Sequence, residues 1–276
     1  VPAHSHAGGL MAAASAIPGI VLDGGDMFAV INATLWTSLR VGGLLMVAPL
    51  FGTRTVPRRV KGMLAIALAF AMSPLAGPPP PLPGVDPLTV LTVAREVLIG
   101  VGMGFVLRLA FEAGALAGEF IAQGTGLSFA VLADPLRGTN AGVVGQWFYL
   151  CFALIFLSMN GHLMLIELLA DSWKAVPLQS TWVPTPDALR AIADFGGQMF
   201  LVGIQIALPV VLAMLVINLA FGVMSRAAPS LNPIQLGLPA SVLVGLLLMG
   251  TLTGQLLGPL RANLEAAFEL ATGWLG

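Results

Sequence analysis

An all-α integral membrane protein is the fold class this sequence predicts, and three observations predict it. Only 9% of the 276 residues are charged, while 57% are hydrophobic. Mean hydropathy is +0.94. Several long apolar runs follow one another, separated by proline- and glycine-rich stretches. A soluble chain carries about 25% charged residues to cover its surface, so this composition calls for lipid or protein around it. The net charge of -1 gives no basic footprint for nucleic acid. Cys151, the single cysteine, lies in "WFYLCFALIF" and reads as a buried small hydrophobe.

Residues 1–24 read as a flexible or interfacial tail, with no basic residue ahead of their short apolar part. A membrane body over 25–262 and a C-terminal helical tail over 263–276 follow. The first apolar block, about 28–51, is long enough to cross a bilayer. Arg54, Arg58, Arg59 and Lys61 come next, a basic cluster that belongs on the cytoplasmic side. A short block at 62–76 ends in "GPPPPLPGVDP", a rigid extended connection. Block three runs from about Leu88 to Ala133, either one long tilted helix or two segments broken at its glycines. Block four, about 141–158, stops at a turn formed by Asn160 and Gly161. A short amphipathic piece, 162–176, and a proline-rich loop lead to block five at 188–224. Block six spans about 240–257.

Block three carries the chain's most informative polar pattern. Placed on one helix, Arg108, Glu112, Glu119 and Gln123 project within about a 60° arc. Arg108 and Glu112, at i,i+4, are expected to pair. Ionisable groups within the membrane face protein or a watery path, so the stripe is expected to face an interior or a neighbouring subunit. Gly118 and Gly126 would let other backbone come close, as would the GxxxG spacings of Gly250, Gly254 and Gly258. "GVGMG" at 100–104 lacks the strand and acidic residue of a dinucleotide site. His162 and Glu167 lack metal-site spacing, and no nucleophile sits beside a base. No enzyme, metal or cofactor is expected.

"RAAPSLNPIQLGLP" at 226–239 has three prolines and Gly237, which predict an interrupted helix. Pro229 and Pro233 would break the hydrogen-bond ladder, Asn232 would replace a lost bond, and Arg226 would meet a carbonyl end. Broken helices and intramembrane charges are also features of small-solute secondary transporters, the alternative reading. No matched pair of inverted repeats supports it.

Three stretches resemble the FliR family of flagellar biosynthesis, with its counterparts in virulence type III secretion. They are "AGEFIAQGTGLSFAVLADP", "NGHLMLIELLADSW" and "RAAPSLNPIQLGLPASVLVG". They include Gly118, Glu119 and Gly126; Asn160, Gly161, His162 and Ser172; and Arg226, Pro229, Asn232, Gly237 and Pro239. The family's glutamine stands one place later than Gln123. The resemblance implies a non-enzymatic subunit of the export gate in the bacterial inner membrane, at the flagellar basal body. It implies FliP-like and FliQ-like partners, FlhB-like and FlhA-like neighbours, unfolded flagellar proteins in transit, surrounding lipid and no nucleic acid.

Overall fold

A computed structural model describes residues 24–53, 56–80, 86–127, 142–227 and 233–275. The described elements are helical: α1 Gly24–Val47, α2 Arg58–Met72 with a 3-10 turn Ser73–Leu75, α3 Pro87–Thr125, α4 Val143–Ser158, α5 Gly161–Ala175, α6 Pro186–Ala227 and α7 Pro233–Gly273. The all-α membrane class read from composition is what the chain adopts. α1, α3 and α6 are long and apolar enough to cross a membrane, and α4 with α5 would make a fourth span bent by 68°.

α3 is the axis, packing against α1, α4, α6 and α7. Its ends are written in the sequence. The Asp86 side chain accepts the Leu88 N–H at 3.0 Å, and Pro87 takes the first helical position, where its missing N–H costs nothing. Gly126, at φ 79°, closes the helix in the left-handed region. Between these ends the helix is continuous for 39 residues. Its interior glycines do not break it, because they let neighbouring helices approach. A Cβ on Gly100 would lie 2.1 Å from the Arg40 carbonyl oxygen of α1, and one on Gly118 would lie 2.4 Å from Gly145 Cα of α4.

Within 226–239, α6 ends at Ala227 and Pro233 opens α7, while Gly237 and Pro239 lie inside α7. Pro209 in α6 and Pro239 and Pro259 in α7 all sit on exposed helix faces. Each ring turns outward, so the lost ladder bond is on the open side of the helix. The boundary drawn at 262 also falls inside this one helix. Asn263 donates to the Ala110 carbonyl at 3.1 Å, and Leu264, Ala267 and Ala271 are fully buried.

Candidate functional site

The densest buried polar centre joins α1, α3 and α5. Arg40 and Glu96 have fully buried side chains. Arg40 Nε donates to Glu96 Oε2 at 2.8 Å and Nη2 to Oε1 at 3.1 Å. The same guanidinium donates to Ser172 Oγ at 3.0 Å and to the Val176 carbonyl at 2.8 Å. Its Cζ lies 5.3 Å from the centroid of the Trp173 ring. Arg95 adds a second cation, 3.4 Å from Glu96 Oε1, and also donates to the Leu178 carbonyl. A buried ion pair persists only when its remaining lone pairs and protons find partners, and Arg40 meets that demand almost completely. Sequence reasoning missed this centre. The signal was present, since Arg40 lies within an apolar run long enough to span a bilayer. Its partner, 56 residues away, was not legible.

Glu119 answers a local demand. Its Oε1 accepts the Gly142 N–H at 2.7 Å, just where α4 begins. A carboxylate there satisfies one orphan donor and complements the positive end of the α4 dipole. Gly118 and Gly145 make the approach possible, for a Cβ on Gly145 would sit 3.0 Å from Glu119 Oε1. Gly118 therefore packs within the chain. Gly126 acts as the left-handed cap of α3.

Arg108 and Glu112 do pair, at 3.2 Å, but at the chain's surface, with side-chain exposures of 55% and 43%. Gln123 is also exposed, so these three lie on the outside of this chain while Glu119 turns to the start of α4. Asn160, at φ 57°, turns the chain between α4 and α5. Gly161 follows because a Cβ there would lie 2.4 Å from the Phe156 ring. His162 Nδ1 is buried without a hydrogen-bond partner. Arg226 is exposed in the last turn of α6. Gly237 is buried against Phe221, and Pro239 is exposed. Pro229 and Asn232, with residues 1–23, lie outside the described residues. Cβ atoms on Gly250, Gly254 and Gly258 would meet nothing within 4 Å among the described residues, so the GxxxG spacings make no helix contact there. Among the described residues, no group of three or more His, Cys, Asp or Glu could hold a metal ion.

The α3 end makes the last polar link. Asn218 of α6 donates to the Gly124 carbonyl at 3.5 Å, and Ser241 of α7 donates to Asn218 Oδ1 at 3.4 Å. These contacts fasten long helices; none presents a reacting group.

Residues 31–267 match the family described as bacterial export proteins, family 1. The flagellar biosynthetic protein FliR of Escherichia coli (strain K12) is 36% identical over 222 residues, 80% of this chain and 84% of that relative. FliR of Pectobacterium carotovorum subsp. carotovorum is 35% identical over 227 residues, 82% of this chain and 86% of its own. FliR of Bacillus subtilis (strain 168) is 29% identical over 219 residues, 79% of this chain and 84% of its own. Match and order run from α1 through most of α7, and the chain belongs to the bacterial export proteins of family 1, alongside the flagellar FliR proteins.

Proposed function

We propose that this chain is a non-enzymatic subunit of the flagellar type III protein export gate in the bacterial inner membrane. There it would combine with FliP-like and FliQ-like subunits, next to FlhB-like and FlhA-like proteins, and help form the channel for unfolded flagellar proteins. The FliR names of its relatives supply the flagellar setting. The structural observation that carries the reading is the length and outward apolarity of α6. Its 42 residues make a rod of about 63 Å, twice the ~30 Å hydrocarbon thickness of a bilayer. Exposed Leu189, Leu201, Leu208, Leu212, Leu219 and Val223 are spread over about 51 Å of it. Lipid can cover only part of such a face, and other subunits are the natural cover for the remainder.

Purification in mild detergent should yield a stable hetero-oligomer with FliP-like and FliQ-like proteins. Deleting the gene should stop export of hook and filament proteins and leave general secretion intact. A monodisperse chain that never co-purifies with those subunits would overturn the assignment.

A further inference from the structure

Two guanidiniums face one carboxylate in the buried centre, and they hold it unequally. Arg40 bonds both oxygens of Glu96, at 2.8 and 3.1 Å. Arg95 reaches only Oε1, at 3.4 Å, through the Nη2 that also donates to the Leu178 carbonyl, and its Nε is buried with no hydrogen-bond partner among the described residues. The two cations also come from different places. Arg40 belongs to α1, whereas Arg95 adjoins Glu96 on α3. Any separation of α1 from α3 carries Arg40 away and leaves Arg95 where it is.

A carboxylate stripped of its cation inside an apolar body is strongly disfavoured. Arg95 has what is needed to prevent this: an amino group already near Oε1 and an unused Nε–H for a second bond. We propose that Arg95 is a reserve cation for Glu96. When α1 draws away from α3, the carboxylate passes from Arg40 to Arg95. The α1–α3 contact can then open without leaving a bare charge on the central helix. Arg95 is a positioning residue in this account, and the exchange makes the α1–α3 interface a contact built to part and re-form. The proposal stands independently of the export reading, because it concerns one chain's own helices.

The test reads the opening directly. Leu44 is fully buried on α1, and a Cβ on Gly100 of α3 would lie 2.9 Å from its backbone nitrogen. A thiol at this site, made by Leu44→Cys in a Cys151→Ser background, reacts with a soluble maleimide only when the helices part. In the full chain, Arg95→Gln should slow that labelling about ten-fold or more, the factor expected for losing a charged hydrogen bond in the open state. Arg95→Lys keeps the positive charge and should label at nearly the parent rate. If Arg95 served only to brace the closed structure, its loss would loosen the interface. Labelling that stays the same or speeds up in Arg95→Gln therefore overturns the proposal. Should Arg95→Gln give no folded protein, Arg95→Lys decides: labelling at the parent rate upholds the exchange, and labelling slowed about ten-fold overturns it.

Discussion

Arg40 and Arg108 show how the same side chain acquires different weight from its surroundings. Arg40 lies with Glu96 in a dry centre, and removing the carboxylate leaves two guanidiniums without a counter-ion. Glu96→Ala should therefore destabilise the isolated subunit by about 3–5 kcal/mol, read as a lowered unfolding temperature in detergent. Arg108 and Glu112 share one bond at 3.2 Å with both side chains substantially exposed. Glu112→Ala should cost the isolated subunit only about 0–1 kcal/mol. If a neighbouring subunit covers that pair, the same variant should lower the yield of assembled complex well beyond its effect on the free chain. Equal unfolding shifts for the two variants would contradict this ranking. Glu119 falls between these cases: its environment is the start of a helix, and its partner is a backbone N–H.

At the scale of helices, the glycines divide into two classes that spacing alone does not separate. Gly118 sits where α3 crosses α4, with no room for a side chain, whereas Gly250 is open. Gly118→Leu should disrupt the subunit itself, with overpacking of about 1–3 kcal/mol or more. Gly250→Leu should leave the isolated subunit's unfolding temperature unchanged. Circular dichroism melts of both variants in detergent check the contrast, and a Gly118→Leu chain as stable as the parent would refute the crossing. The start of α3 was legible because capping chemistry is local, with Asp86 and Pro87 acting within a turn of their own position; its end at Thr125 was not, for the apolar run continues to Ala133. Pro239 and Pro259 stay inside α7 for a related reason. A proline's effect depends on which way its ring faces, and that is set by neighbours elsewhere in the chain. The polar centre was half legible: a charge inside an apolar run announced itself, but its pairing across helices did not. Arg108, Glu112, Glu119 and Gln123 share one helix, yet which surface each meets depends on packing that periodicity does not encode: Glu119 meets Gly142 of α4, whereas Arg108 and Glu112 pair at the chain's surface.

Taken whole, the molecule has a dry centre along α3 and a broad apolar exterior on α6. Leu212 and Leu219 lie on that exterior. Leu212→Trp and Leu219→Trp test what covers it, because fluid lipid accommodates an indole and a close-packed protein contact does not. Each should leave the free subunit folded and reduce recovery of the FliP-like and FliQ-like complex. Unchanged recovery with both would assign this face to lipid. The bend at Asn160 bears on how such a molecule is made. α4 and α5 have 16 and 15 residues, so each arm reaches only about 22–24 Å, short of a ~30 Å hydrocarbon layer. Neither arm is a sufficient stop signal for a ribosome-bound translocon acting alone. Together, bent by 68°, they would make one span, and the chain order makes α3 available first. Its Gly114 and Gly118 face is the wall against which α4 seats, with Phe152 lying over Gly114 and Gly145 against Gly118. Chain order thus makes the seat before the arm that needs it.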